Sequence, residues 1–234
     1  MTLPVLDSSA GGLETSNVNG QPLTINVPSN VVDGDLMWAN VAENNNDFQT
    51  PPTGWTELVD VDPGNATMWA GYRIADTEPS SYDWTGAGAG RKAGLIARIT
   101  GHNSSDPIDV RQESPEHSTD QSGTDTGVDF DSVTTTQNDC LILWAQSDQT
   151  SSGKTNSPSD GTEVADENNA ATHACLFEYD QVTAGATPSM VNTISVAGDW
   201  TTTVVAIAPA AAAAGGFTPF PNQRRRFNNS MMVR

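Results

Sequence analysis

The sequence predicts an all-β fold: a two-sheet β-sandwich of jelly-roll-like topology, built from an internal duplication and followed by an extended C-terminal arm. Short runs rich in β-branched and aromatic residues recur along the chain, and clusters of Gly, Pro, Asn and Asp separate them. No window carries the 3.6-residue apolar spacing of an amphipathic helix. Alternation is clear where Leu23, Ile25 and Val27 share one face of a strand. This combination is typical of sandwiches and barrels.

The predicted strands are separated by turn sequences such as 51–54 (Pro-Pro-Thr-Gly) and 157–161 (Ser-Pro-Ser-Asp-Gly). Before a polar gap they cover residues 23–27, 36–42, 56–61, 67–74, 81–84 and 94–100. After the gap they cover residues 128–135, 140–146, 162–165, 173–179, 190–195 and 201–208. The gap itself, 101–127, holds few apolar residues. It is expected to be a long loop that crosses between two halves and offers a contact surface.

The two halves are related by an internal repeat. Segment 33–39 (Asp-Gly-Asp-Leu-Met-Trp-Ala) aligns with segment 139–145 (Asp-Cys-Leu-Ile-Leu-Trp-Ala) at an offset of 106. Further blocks match in the same order at nearly the same offset, so residues about 20–100 and 127–208 look like two copies of one unit. About 80 residues of short strands would bury little apolar surface alone. We therefore expect the copies to contribute related halves to one sandwich with a shared core, rather than to form two small sandwiches.

The charge balance excludes several partners. The chain carries 29 Asp and Glu against 10 Lys and Arg, a formal net charge of −19 with a pI near 4.1. A nucleic-acid-binding body is not expected, because such surfaces neutralise phosphates with Lys and Arg. The start of the chain lacks the basic flank and apolar run of a secretion signal. The longest apolar stretch, 204–214, is too short to span a bilayer, so no membrane partner is expected.

The composition changes at the end of the β-sandwich body, residues 1–209. Residues 210–216 form an Ala/Gly linker, and residues 217–234 form a basic arm with four arginines and no acid. Residues 1–216 carry six bases and 29 acids, a net charge of −23. The arm is predicted to be extended and to become ordered against a neighbouring acidic subunit, and a segment without an ordered role is the alternative. Its assembly residues are Phe217, Phe220, Arg224, Arg225, Arg226, Phe227, Met231 and Met232.

The sequence contains no recognisable motif for catalysis or cofactor binding, so we predict no enzyme activity, no cofactor, no catalytic residue and no metal site. His102, His117 and His173 lack the spaced partners of a zinc site. A set of aspartates could supply oxygen ligands to calcium, but their spacing is not that of an EF-hand, and a solvated acidic loop is favoured. These are Asp120, Asp125, Asp129 and Asp131. Cys140 and Cys175 are predicted to be buried thiols, with a cross-strand disulfide as the alternative.

The six tryptophans allow two interpretations. Trp38 and Trp144 occupy equivalent places in the duplicated segments, which favours packing positions. Exposed indoles can instead stack on sugars. Under that alternative, the chain is a carbohydrate-binding, lectin-like module involved in host-surface adhesion, and Trp55 and Trp84 are its glycan contacts. The alternative requires Trp or Tyr side chains to be exposed together on one face.

Three turn-and-strand stretches of the first copy share a recognisable pattern. They are 27–36 (Val-Pro-Ser-Asn-Val-Val-Asp-Gly-Asp-Leu), 50–58 (Thr-Pro-Pro-Thr-Gly-Trp-Thr-Glu-Leu) and 72–84 (Tyr-Arg-Ile-Ala-Asp-Thr-Glu-Pro-Ser-Ser-Tyr-Asp-Trp). Together they resemble a β-sandwich module found in virion proteins of tailed bacteriophages, of minor tail or decoration type. The resemblance covers residues about 20–110 and reaches the second copy only through the internal repeat. It assigns no active residues.

This resemblance implies a non-enzymatic structural protein of a phage virion, either tail-associated or a head decoration or cement protein, held in place by its C-terminal arm. The implied partners are other virion proteins and copies of the chain itself, as a homo-oligomer. The implied location is the outer surface of the particle. An acidic body suits that location, because like-charged bodies repel one another and stay soluble.

Overall fold

The computed structural model describes residues 2–44, 50–86, 90–113, 117–150 and 153–211. Its first half contains β1 (Val5–Asp7), β2 (Leu13–Asn19), β3 (Leu23–Asn26), β4 (Leu36–Glu43), β5 (Thr56–Val61), β6 (Thr67–Ile74), β7 (Ser81–Trp84) and β8 (Arg91–Thr100). Its second half contains β9 (Ile108–Arg111), β10 (Ser118–Asp120), β11 (Gly127–Phe130), β12 (Cys140–Gln149), β13 (Asn156–Pro158), β14 (Thr162–Asn169), β15 (Thr172–Gln181), β16 (Met190–Ile194) and β17 (Asp199–Ile207). Within these described ranges there is no helix, and so none that could cross a membrane. The predicted all-β class is confirmed.

Antiparallel pairing in the first half is nested along the chain. β1 and β2 pair with β8, β3 pairs with β7, and β4 pairs with both β6 and β8. These pairs are divided between a large sheet, in the order β1-β8-β4-β6-β5 with β2 also on β8, and a small sheet of β3 and β7. The strands of this half are thus divided between two antiparallel sheets, which is consistent with the predicted β-sandwich class.

The second half repeats this arrangement. β9 and β10 pair with β17, β11 pairs with β16, and β12 lies between β15 and β17. The second large sheet has the order β10-β17-β12-β15-β14 with β9 also on β17, and the second small sheet is β11-β16-β13. The internal duplication is therefore visible in the topology. The repeating unit also takes in strands that lie outside residues 20–100 and 127–208.

The segment 101–127, expected to be a crossing loop, contributes the edge strands β9 and β10 to the second large sheet. They correspond to β1 and β2 of the first half, and the loop prediction is wrong for these residues. An edge strand pairs with a neighbour on one side only, so its outward side chains can be polar. The residues of β10 are Ser-Thr-Asp, and those of β2 are Leu-Glu-Thr-Ser-Asn-Val-Asn. Such strands carry too few apolar residues to be recognised from the sequence.

The two large sheets pack face to face and form the shared core that the sequence predicted. This core includes Leu36, Trp38, Leu95, Leu141, Leu143 and Val205. The opposite face of each large sheet packs against the small sheet of its own half, which gives each half a second core. The protein is thus two stacked sandwiches. The single sandwich that the sequence predicts corresponds only to the central interface between the two large sheets. The reason is that β4 and β12 are buried on both faces, and a continuously apolar strand does not reveal which layer each face meets.

Trp38 and Trp144, which match at the offset of 106, face opposite sides of their sheets. Trp38 lies in the shared core, and Trp144 lies in the core inside the second half. The strand pairings equate Leu36 with Leu141 instead, because each lies opposite an isoleucine of the last strand of its half. The predicted equivalence of the two tryptophans is therefore wrong by one residue. In a β-strand a shift of one residue moves a side chain to the other face.

Hydrogen bonds cross the shared interface at the end where leucines give way to smaller and polar residues. Asn40 Nδ2 donates to the backbone oxygens of Gln146 and Cys175 at 3.2 and 3.1 Å. Ser147 Oγ donates to the backbone oxygen of Thr67 at 2.8 Å. These buried bonds join the two halves in one fixed register, because leaving any of these groups unpaired would cost more than the bond contributes.

Candidate functional site

Both lysines of the chain are buried in ion pairs, one in each half. Lys92 Nζ lies 2.5 Å from Glu43 Oε1, and neither side chain is exposed. Lys154 Nζ lies 3.0 Å from Asp148 Oδ2 and 3.6 Å from Asp166 Oδ2. Lysine is among the residues least often found fully buried, so its sequence position alone gives no signal of this arrangement.

The ion pair in the second half belongs to a larger group that we call the Lys154 cluster: Asp148, Lys154, Asn156, Asp166, His173 and Cys175. Lys154 Nζ donates to Asn156 Oδ1 at 2.8 Å and lies 3.2 Å from Cys175 Sγ. His173 Nδ1 lies 2.9 Å from Asp166 Oδ1. The pairing of β14 with β15 creates this proximity, because it places Asp166 opposite Cys175. His173 lies two residues away from Cys175, on the same face of β15.

The charged groups of this cluster shift the pKa values of one another. Burial would raise the pKa of Asp166, but the hydrogen bond from His173 and the charge of Lys154 outweigh it and lower that pKa. Burial would lower the pKa of Lys154, yet the neighbouring Cys175, Asp148 and Asp166 raise it. Burial also raises the pKa of Cys175 well above its ordinary value. The charge of Lys154 opposes this effect of burial without cancelling it.

The cysteine prediction is confirmed, since Cys140 and Cys175 are both free and buried. The sequence predicts no partner for His173, whereas in the structure Asp166 lies beside it. A signal for this pair existed, because the predicted strands 162–165 and 173–179 are adjacent enough to form a hairpin. The predicted strand ends at Ala165 and so excludes Asp166, whereas β14 continues to Asn169.

Amine-reactive labelling tests the burial of the lysines directly. We expect an N-hydroxysuccinimide ester to leave Lys92 and Lys154 unmodified in the native protein, because both ammonium groups are inaccessible and ion-paired. Peptide mass spectrometry after a brief exposure measures modification at each lysine. Protein unfolded in guanidinium is the control, and there both lysines should react. Equal modification of either lysine in the native and unfolded protein would contradict the structure.

Trp55 and Trp84, the proposed glycan contacts, lie in the core of the first half and are 9% and 0% exposed. Their ring centroids are 5.4 Å apart, and Trp55 also meets Tyr82 at 5.5 Å and Trp69 at 6.1 Å in edge-on geometry. A sugar ring cannot stack on an indole that is covered on both faces. These positions correct the assignment of Trp55 and Trp84 as surface contacts, and they agree with the packing interpretation.

Three of the four aspartates that are candidate calcium ligands accept hydrogen bonds from nearby protein groups. Asp125 Oδ1 accepts from the backbone nitrogen of Gly127 at 2.8 Å, and Asp131 Oδ2 accepts from Gln112 Nε2 at 2.7 Å. Asp120 accepts from the nitrogen of Ser122, while Asp129 lies exposed on β11. Among the described residues, no three His, Cys, Asp or Glu side chains are grouped so that they could hold a metal ion.

The predicted assembly residues lie outside the described part of the chain: Phe217, Phe220, Arg224, Arg225, Arg226, Phe227, Met231 and Met232. The structure does place the end of the described body, from which the Ala/Gly linker leads to the arm. Ala210 N donates to the backbone oxygen of Gly101 at 2.8 Å, and Ala211 is the last described residue. A β-carbon on Gly101 would lie only 1.9 Å from the backbone oxygen of Leu3. The described chain therefore ends next to the N-terminal segment.

A surface groove opens beside this N-terminal segment. Its larger chamber has a volume of about 430 Å³ and its smaller chamber about 70 Å³, and both are lined by Leu3, Pro4 and Asp180. We call this surface the exit groove. The larger chamber is lined by Leu3, Pro4, Val5, Leu6, Leu141, Gly161, Thr162, Glu178, Tyr179 and Asp180. The smaller chamber is lined by Leu3, Pro4, Asp139, Cys140, Asp180, Gln181 and Val182.

The exit groove combines apolar side chains with carboxylates. Leu3, Val5 and Val182 are three of the five large apolar residues that are exposed in the described structure. Glu178 and Asp180 form no ion pair with a cation among the described residues. Burial, and then the charge of Asp180, raise the pKa of Glu178. The groove is thus complementary to a segment that is both cationic and apolar.

No family model matches the sequence, and neither a curated protein nor a solved structure matches it significantly. The resemblance of residues 27–36, 50–58 and 72–84 to phage virion modules stays a prediction.

Proposed function

We propose that this chain is a non-enzymatic structural protein of a phage virion, tail-associated or a head decoration or cement protein, held in place by its C-terminal arm. Its partners are other virion proteins and copies of itself, and it lies on the outer surface of the particle. The proposal is supported by the segregation of charge, with −23 on residues 1–216 and four arginines but no acid on residues 217–234. Opposite charges on body and arm favour contact between the arm of one subunit and the body of another.

The distribution of reactive side chains supports the non-enzymatic part of the proposal. Lys154, His173 and Cys175 are buried and bound to one another or to neighbouring aspartates. Catalytic groups need a route to substrate, whereas groups sealed between two sheets contribute to packing and to a single fold. The stacked sandwiches therefore suit a rigid building block, with association assigned to the arm.

Removing residues 215–234 tests this proposal. We expect the truncated protein to stay soluble, with a melting temperature within about 2 °C of the full chain, because all four apolar clusters of the described structure precede residue 212. We expect its incorporation into particles to fall to background. Circular dichroism melting and quantitative immunoblotting of purified particles measure the two quantities.

A full-length chain in which residues 217–234 are reordered without change of composition is the matched control, and it too should fail to be incorporated. Incorporation of the truncated chain at the level of the full chain would contradict the proposal. A truncated chain that unfolds would instead make the arm part of the folded body.

A further inference from the structure

We propose that the exit groove is the receptor for the C-terminal arm, residues 217–234, of a neighbouring copy, so that copies of this chain associate by exchanging arms. The inference deepens the proposed function and rests on it for the choice of a neighbouring copy as the source of the arm. The groove itself is argued from the described residues alone. Three properties of the groove match the arm, namely its exposed apolar side chains, its charge and its position.

The apolar match comes from side chains that the folded body leaves uncovered. Leu3, Val5 and Val182 are 51%, 56% and 68% exposed, and each lines one or both chambers of the exit groove. A structural protein gains nothing from such a concentration of exposed large apolar residues unless another segment covers it. The arm supplies three phenylalanines and two methionines within eighteen residues. Side chains of this kind contribute most of the free energy of peptide binding in a groove.

The charge match is equally specific. Glu178 and Asp180 project from one strand into the groove, and Asp139 lines its smaller chamber. Arginine pairs with carboxylates through two parallel hydrogen bonds, and the arm presents Arg224, Arg225 and Arg226 in succession. Partial burial of a carboxylate that has no cation nearby is unfavourable. An arginine of the arm that pairs with Glu178 or Asp180 would remove this free-energy penalty.

The position of the groove allows exchange between copies. The chain leaves the body at Ala211, whose neighbour Ala210 is hydrogen-bonded to Gly101, and Gly101 contacts Leu3 in the groove. Residues 212–216 can span at most about 18 Å when extended. Each copy therefore presents the last residue of its described body and its groove on the same side. When two copies face each other with these sides, the arm of each can occupy the groove of the other, which gives a closed symmetric dimer.

Charge reversal on the full-length chain tests the groove. We expect Glu178→Arg with Asp180→Arg to weaken self-association at low salt by at least about tenfold, and Arg224→Glu with Arg225→Glu to do the same. Combining the four substitutions should restore association, because the charges are then exchanged rather than lost. The matched control is Asp83→Arg with Asp129→Arg on the outer small sheets, which should leave association nearly unchanged. Sedimentation velocity measures the dissociation constant, and circular dichroism verifies that each variant is folded.

Equal effects of the groove pair and the control pair, or no restoration in the combined variant, would overturn the groove as receptor. Disulfide trapping then decides whose arm is bound. We expect Val182→Cys with Phe220→Cys to form an interchain disulfide under mild oxidation, and Val191→Cys with Phe220→Cys, on the outer small sheet, to form none. Non-reducing electrophoresis separates the outcomes. A disulfide-linked dimer supports exchange, whereas an intrachain disulfide or no disulfide overturns it.

This experiment separates the inference from the proposed function. Trapping of the interchain disulfide in a protein that is absent from purified particles would overturn the virion role and leave the exchange intact. Incorporation into particles that depends on the arm, without trapping at Val182, would support the virion role and overturn the exit groove as receptor.

Discussion

Replacing Lys154 with methionine is expected to destabilise the folded protein by about 3–5 kcal/mol. The side chains of Lys154 and Asp148 are both fully buried, with 3.0 Å between Nζ and Oδ2, and Asp166 lies 3.6 Å from the same nitrogen. Methionine fills a similar volume but leaves the buried Asp148 carboxylate without its cation, and the partly buried Asp166 keeps His173 as a partner. Removing one partner of a buried ion pair costs far more than the pair contributes in net stability. Chemical denaturation followed by tryptophan fluorescence measures the loss.

Two further variants separate charge from packing in this experiment. Arg91→Met removes an exposed cation from β8 and should change the free energy of unfolding by no more than about 0.5 kcal/mol. Adding Asp148→Asn and Asp166→Asn to Lys154→Met should recover part of the stability, because the uncompensated charges are then gone. A Lys154→Met variant as stable as the unaltered protein would show that the cluster is open to water.

Neither half of the protein, expressed alone, is expected to fold as a monomer. Cutting the chain between Ser104 and Ser105, which are both exposed, assigns β1–β8 to one fragment and β9–β17 to the other. Each isolated fragment would expose its side of the shared core, including Trp38 and Leu95 or Leu143 and Val205. Each large side chain that is well buried contributes about 1.5–3 kcal/mol. Exposing several of them removes most of a total stability of about 5–15 kcal/mol.

Co-expression of the two fragments is the matched comparison. We expect the pair to form a soluble one-to-one complex. The hydrogen bonds of Asn40 and Ser147 and the leucines of the shared core can form the interface again without a covalent link. Size-exclusion chromatography with light scattering and circular dichroism distinguish the cases. A single fragment that elutes as a monomer and unfolds cooperatively would show that the halves are independent domains.

The strands that the sequence predicted correctly share one property, which is a run of apolar residues that packs on at least one layer. The segments 56–61, 67–74 and 81–84 coincide with β5, β6 and β7. The strands that the sequence left out are short or polar, such as β10 and β13. Their position is determined by backbone hydrogen bonds to a neighbour that is distant in the chain, and such partners have no signature in the local composition.

The residues of the candidate sites are also distant in the chain, so local sequence patterns do not predict that they meet. The sequence identified Cys175 and His173 as members of a strand-like run, but Lys154 lies in a connecting segment nineteen residues before His173 in the numbering. Only the packing of the second large sheet against its small sheet brings these groups together. The exit groove likewise joins residues near Leu3 with residues near Glu178, which no local pattern connects.

What the sequence determined by itself is the all-β class, the duplication and the opposite charges of body and arm, because alternation, repetition and composition are properties of the chain. The tertiary structure alone decided that Trp38 belongs to the shared core and Trp144 to the core of the second half. It also decided that both lysines are buried. The physical reason is that a period of two specifies which side chains share a face of a strand. When both faces are covered, the stacking of distant layers determines what each face meets.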